Sequence, residues 1–192
     1  MNAIEIIFWV AFATIVYTYI GYGLIIWLLK TIKQSTNHPR ETINAAPYEP
    51  EVTLLVAAWN EKDYIDRKVN NSLEIDYPQS KLKLMWVTDG STDGTPELLG
   101  RYKQVQVLHR DERSGKVAAI NRAMRFVETP IVVFSDANTM LNSQAIRNIV
   151  KEFEHQKVGC VSGEKRVAST QKDAAAGAGE SLYWKYESAL KK

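Results

Sequence analysis

From Val52 onward the chain alternates short apolar runs with stripes of helical period, and this alternation restricts the fold more than any other feature. Val52-Thr-Leu-Leu-Val-Ala-Ala58 is nearly continuous in apolar residues, the pattern of a strand covered on both faces. Asn60 then reads as a helix cap with Asp63 in the first turn, and Ile65, Val69 and Leu73 recur four apart until Tyr77-Pro78 closes the segment. Leu82-Lys-Leu-Met-Trp-Val87 is a second strand. Thr95-Pro96 opens a short helix expected to run through Tyr102, and Val105-Gln-Val-Leu108 is a third strand. Val117, Ile120, Met124 and Val127 form the next helical stripe. Ile131-Val-Val-Phe134 is a fourth strand, followed by a helix from about Ser143 with Ile146, Ile149, Val150 and Phe153 inward. Val158-Gly-Cys-Val161 reads as a fifth strand. Such alternation predicts an α/β fold, a mostly parallel sheet with helices on both faces, in which ligands bind beyond the carboxyl ends of the strands.

The chain ahead of this region is of another kind. Ile6 to Leu29 contains no Asp, Glu, Lys or Arg, and about 20 apolar residues suffice to cross the hydrocarbon core. A signal peptide would need a basic start and a shorter apolar core, whereas Met1-Asn-Ala-Ile-Glu5 holds no Lys or Arg. Trp9 near one end and Tyr22 and Trp27 toward the other suit the interfacial belts. Residues 4–29 are therefore expected to be a transmembrane helix. Lys30, Lys33 and Arg40 follow it, which places the rest of the chain in the cytoplasm by the positive-inside rule. Residues 30–50, with Pro39, Pro47 and Pro50, read as a linker. A length of 192 residues leaves room for one ordinary domain besides, and a formal net charge of +2 gives no electrostatic reason for a nucleic-acid partner. The single cysteine, Cys160, permits no disulfide and reads as a buried small side chain.

Polar clusters stand directly after three of the apolar runs: Trp59-Asn60-Glu61, Asp89-Gly-Ser-Thr-Asp93 and Asp136-Ala-Asn138. Singly, each has a plain structural explanation: a cap, a turn rich in turn formers, another cap. An ionised carboxylate at the end of a buried strand is costly unless donors or a cation satisfy it, and two on one sheet edge are harder to explain that way. Arg110-Asp-Glu-Arg113-Ser-Gly-Lys116 follows the third strand on the same edge. Its basic side chains and glycine suit an anionic group such as a diphosphate, although Asp111 and Glu112 also allow a solvated charged loop. Gly115-Lys116 is not a P-loop, because the preceding glycine spacing is absent and Val117 follows the lysine.

Taken in order, Ala57-Ala-Trp-Asn-Glu61, Asp89-Gly-Ser-Thr-Asp-Gly-Thr95, Gly115-Lys-Val-Ala-Ala-Ile-Asn121 and Ser135-Asp-Ala-Asn-Thr139 resemble the family 2 glycosyltransferases, most of all the membrane-bound members that make or extend polysaccharides. The resemblance covers about Val52 to Lys192 and implies a GT-A (Rossmann-like) domain. It implies that residues 51–165 are the nucleotide-sugar-binding half and that 166–192 begin an acceptor half that is incomplete. By the same resemblance Asn60 and Glu61 border the base and ribose, Asp89 holds the uracil or ribose, and Lys116 lies near the base or diphosphate. Asp136 and Asn138 correspond to a D-x-D metal motif, which implies a divalent cation, Mg²⁺ or Mn²⁺, bridging Asp136 and the diphosphate. The implied partners are a nucleotide sugar, UDP-linked, a glycan acceptor and the membrane.

This sequence departs from the family pattern at several positions. Thr88 stands where a first aspartate is common, and Asn138 offers an oxygen but no charge. The acidic general base of an inverting transfer and the later Q-x-x-R-W motif are not recognisable, so the base is expected beyond Lys192. Gln144-Ala-Ile-Arg147 comes too early and lacks the tryptophan. A domain stopping here would leave an edge for a protein partner to cover. The competing expectations are a catalytically dead, membrane-tethered interaction module on the same fold, which Thr88 and Asn138 favour, and a nucleotidyltransferase. The latter would want a glycine-rich basic segment after the first strand.

Overall fold

The computed structural model describes residues 2–36 and 47–164, so the tail segment Glu180-Ser-Leu-Tyr-Trp-Lys-Tyr-Glu187 lies outside the described residues. The N-terminal helices and the α/β unit are separate compact bodies.

Helix α1 (Ala3–Val16) begins with the Glu5 carboxylate accepting the Asn2 amide at 3.0 Å. It passes through one π-helical turn, Tyr17–Gly21, into α2 (Tyr22–Thr36). Ala3–Leu29 is long and apolar enough to cross a membrane, and none of its most apolar window is buried by protein. Its threonine hydroxyls are satisfied within the helix: Thr14 donates to the Val10 carbonyl and Thr18 to that of Thr14, both at 2.8 Å. A helix apolar all round with internally paired hydroxyls suits a lipid solvent.

The α/β unit is a four-stranded parallel sheet in the order β3-β2-β1-β4, formed by β1 (Val52–Ala58), β2 (Leu82–Asp89), β3 (Val105–Arg110) and β4 (Ile131–Asp136). Between them run α3 (Lys62–Leu73), α4 (Thr95–Leu99) and α5 (Lys116–Met124), and α6 (Ala145–Glu152) follows β4. Strand alternation sends Leu54, Val56 and Trp86 to one face, where they pack with Ile65, Val69, Leu99, Ile146 and Val150. Leu55, Met85 and Val87 meet Ala119 and Ala123 of α5 on the other. Each fully buried aliphatic side chain contributes about 1.5–3 kcal/mol, so these two cores fix the sheet between its helices. The chain steps outward from β1 to β2 to β3 and then returns to the other side of β1. The carboxyl ends of β1 and β4 therefore flank the point where strand order reverses.

Several elements differ from the sequence reading. α3 starts at Lys62, and Asn60 does not cap it; its φ is 52°, a left-handed conformation that asparagine tolerates. α4 ends at Leu99, before Tyr102. The stripe of α5 is rotated: Ala119 and Ala123 face the sheet and Val117 is 73% exposed, because small residues allow the helix to lie close to the strands. Residues 158–161 form no strand, and Cys160 is exposed. Four residues interrupted by Gly159 offer too little side-chain packing to offset the ordering of their backbone.

Candidate functional site

One cavity of about 270 Å³ opens at the carboxyl ends of β1, β2 and β4, walled by Trp59, Glu61, Asp89, Arg113, Lys116, Asp136 and Asn138 among others. The two carboxylates expected to converge, Asp89 and Asp136, thus face the same space. Glu61, Lys116 and Asn138 join them, whereas Asn60 is not part of the wall. Its side chain instead ties two strand exits together. The Asn60 Oδ1 accepts the Thr92 amide at 2.8 Å, and its own amide donates to Ser91 Oγ at 3.2 Å.

The segment Asp89-Gly-Ser-Thr-Asp-Gly-Thr95 organises the rim. Asp93 caps two starts at once: Oδ2 accepts the Lys62 amide at 3.0 Å and Oδ1 the Thr95 amide at 3.0 Å. Thr95 Oγ1 in turn accepts the Glu61 amide at 3.1 Å. The N-terminus of α3 is therefore capped from another loop, which is why its own flanking residue has no capping role.

Asp89, only 5% exposed, turns inward to the loop after β3. Its Oδ2 accepts the Ser114 amide at 2.6 Å and the Gly115 amide at 2.7 Å, while Arg122 Nη1 of α5 lies 3.3 Å from Oδ1. Burial alone would raise this carboxyl, but the two amides and Arg122 outweigh it and hold it below the ordinary range. Asp89 thereby fixes the loop that carries Arg113 and Lys116. Gly90 allows the close approach: its φ is +65°, and a Cβ there would stand 2.6 Å from Arg113 Cβ. Thr88, one residue earlier, belongs to the opposite face of the strand and is hydrogen-bonded to His109 Nδ1 at 2.7 Å. A carboxylate at that position would not share the Asp89 surroundings, so Thr88 takes less from the cavity than the sequence suggested.

At the β4 end, Asp136 is paired with Lys116 Nζ at 2.5 Å. Beneath it, Lys68 of α3 is fully buried and donates to Ser135 Oγ at 2.8 Å and to the Thr139 carbonyl. Burial pushes the Lys68 amine down to about 8, with Asp136 partly opposing. Glu61 is raised above its ordinary value, first by burial, then by the charges of Asp136 and Asp93. Two carboxylates, Glu61 and Asp136, thus repel across the cavity beside the amide oxygen of Asn138. Among the described residues no three His, Cys, Asp or Glu side chains gather as a complete metal cage. An all-oxygen set of this kind fits Mg²⁺ or Mn²⁺, which take few protein ligands and complete their shell with substrate phosphates and water.

Trp59, Lys68 and Arg122 are parts of the site that sequence reasoning passed over. The Trp59 ring forms a wall with the Arg113 guanidinium 3.5 Å above its centroid, and its Nε1 donates to the Gly90 carbonyl at 3.2 Å. Lys68 could have been found from spacing, since 65, 68, 69 and 72 make one helical face. Gln144 and Arg147 prove structural. Gln144 Nε2 donates to Asp76 at 2.6 Å, and Arg147 joins Glu49 at 2.6 Å and Asp76 at 3.4 Å.

A parallel sheet with its polar cavity at the reversal of strand order, lined by carboxylates and cations from separate strand exits, defines an open α/β protein of the doubly wound kind. Residues 53–189 match the family described as glycosyl transferase family 2. The chain belongs to that family, and its fold is GT-A-like. It is similar to the beta-monoglucosyldiacylglycerol synthase of Nostoc sp. strain PCC 7120, 30% identical over 65% of this chain and 28% of that protein. It is also similar to the poly-beta-1,6-N-acetyl-D-glucosamine synthase of Staphylococcus aureus, 28% identical over 79% of this chain and 37% of that protein. Among solved structures it resembles the mannosyltransferase PcManGT from Pyrobaculum calidifontis in complex with GDP-Man and Mn²⁺. The TM-score is 0.66 and the identity 32%, over 80% of this chain and 46% of that one. The likeness to Staphylococcus aureus TarS residues 1–349, with a TM-score of 0.52 and 23% identity over 64% of this chain and 38% of that one, is one of fold. The chain therefore spans less than half the length of each of these relatives.

Proposed function

We propose that the chain is the donor-binding part of a membrane-anchored, inverting glycosyltransferase that moves a sugar from a nucleotide sugar, UDP-linked, to a glycan acceptor. The observation that carries this reading is the meeting of Asp89, Asp136, Glu61 and Lys116 around one cavity at the reversal of strand order. Trp59 offers a flat apolar wall for a base, and the loop held by Asp89 carries the cations that suit a diphosphate. Asp136, with Asn138 and Glu61, would hold a divalent cation, which supplies charge neutralisation of the leaving diphosphate. In the transfer, an acceptor hydroxyl attacks the anomeric carbon, the bond to the diphosphate oxygen breaks, and the hydroxyl proton passes to a base.

The proposed division is a membrane span over residues 4–29, a linker over 30–50, the donor half over 51–165 and the beginning of an acceptor half over 166–192. Lys30, Lys33 and Arg40 support a cytoplasmic position for everything after residue 29. Phe134, 54% exposed at the β4 end, is a surface that the acceptor or a covering protein partner would meet.

Calorimetric titration of the detergent-solubilised chain with UDP and GDP, with and without Mn²⁺, tests the reading. It predicts binding of a nucleoside diphosphate that strengthens with Mn²⁺, and about tenfold loss in Asp136→Asn. Absence of binding to either diphosphate, with or without the metal, would favour a tethered module that has lost its ligand.

A further inference from the structure

Arg113 and Lys116 flank a pinned turn. The two residues between them give their amides to Asp89, and Arg113's backbone is held against Gly90, so the backbone from 113 to 116 is fixed while both side chains line the cavity. Each of these side chains is paired with a cavity wall: Arg113 lies over the Trp59 ring, and Lys116 is joined to Asp136. These are the two walls that the donor reading assigns to the base and to the divalent cation.

We propose that Arg113 and Lys116 are exchange cations: they compete with the base for Trp59 and with the metal for Asp136, and both transfer to the donor's diphosphate on binding. The proposal rests on the donor-binding reading and names two residues, on one loop, that make the cavity select a whole nucleoside diphosphate over its parts. A nucleoside alone must displace Arg113, and a metal ion alone must displace Lys116, with nothing to receive the freed charge. A diphosphate accepts both. The magnitudes allow it. Lys116 and Asp136 are 60% and 51% exposed, and a surface ion pair or exposed cation–π contact is worth no more than about fivefold in an equilibrium. A charge-assisted bond to phosphate is worth about tenfold or more. Removing Lys116 also leaves Asp136, whose charge Glu61 feels, without its ammonium partner, a better seat for a metal ion.

The test uses the full chain in detergent with Arg113→Met and Lys116→Met, titrated with Mn²⁺ alone, uridine, guanosine, UDP and GDP. Arg101→Met, at the opposite end of the sheet, controls for loss of a positive charge. Thermal melts confirm that each variant is folded. The expected result is a crossed pattern. Lys116→Met binds Mn²⁺ alone about fivefold more tightly, Arg113→Met binds a nucleoside about fivefold more tightly, and both bind the diphosphates about tenfold more weakly. Arg101→Met changes none of these. If wild type binds UDP or GDP but the variants weaken every probe alike, or Arg101→Met raises Mn²⁺ affinity as Lys116→Met does, the exchange is wrong and the donor reading stands. If wild type binds neither diphosphate, the donor reading fails and the exchange with it.

Discussion

Glu61 and Lys68 approach the same carboxylate, Asp136, from different sides, and their titrations report on it in opposite ways. Glu61 is raised above the ordinary carboxyl value, so its ionisation costs stability in the folded state. That cost is absent below the unfolded value of 4.5 and present once pH exceeds the folded one. Glu61→Gln is therefore expected to melt at a higher temperature than wild type at pH 7 and at the same temperature at pH 4. Lys68 is lowered from 10.5 to about 8, so the folded state carries the burden of a buried charge below pH 8. Between pH 8 and 10.5 the unfolded chain binds the extra proton, and stability rises with pH through that window. In a melting series from pH 7 to 10, wild type is expected to gain this increment and Lys68→Met to lack it. Glu61, Lys116, Asp136 and Asn138 were legible only as an ordered set, since each alone also reads as a cap, a turn or a solvated loop. Spacing puts Lys68 on the buried face of α3, but its partners, Ser135 and Thr139, stand 67 and 71 residues away and leave no local sign.

At the scale of elements, the segment between β2 and α4 decides where α3 begins. Asp93 serves the amides of Lys62 and Thr95 together, and Thr95 serves that of Glu61. Asp93→Ala strips two helix starts of their acceptor and is expected to cost about 2 kcal/mol, measured by urea denaturation followed by tryptophan fluorescence. The loss should also weaken nucleotide binding, since Glu61 rides on the same turn. The central strands β1 and β2 were readable from apolar runs because they are buried on both faces, and the partly exposed edge strands β3 and β4 from their place in the alternation. The start of α3 was not, since caps that come from another loop leave no local trace. The α5 stripe misled for a related reason. Alanine contributes little to an apolar pattern, yet Ala119 and Ala123 are the most buried residues of α5, with Ile120 and Val127 of the expected stripe packed beside them and Val117 facing out. Val158-Gly-Cys-Val161 shows the converse: apolar residues in a row make a strand only when a neighbouring strand supplies partners.

For the whole molecule, order along the chain matters more than any one element. An apolar N-terminal helix precedes an α/β unit whose cavity lies where strand order reverses, and that geometry follows from β4 returning to the far side of β1. The polar clusters at the strand exits led to the expectation that Asp89 and Asp136 meet at one rim, as they do, although strand order itself is not written in local pattern. The central claim is that this cavity receives a nucleoside diphosphate. Photolabelling of the detergent-solubilised chain with azido-UDP and azido-GDP, followed by peptide mapping, tests it most directly. The account predicts label within residues 57–61 or 113–119, abolished by excess unlabelled nucleotide with Mn²⁺ and reduced in Asp136→Asn. Label falling on α6 or the β3–α4 side of the sheet, or label that excess nucleotide does not remove, would contradict it.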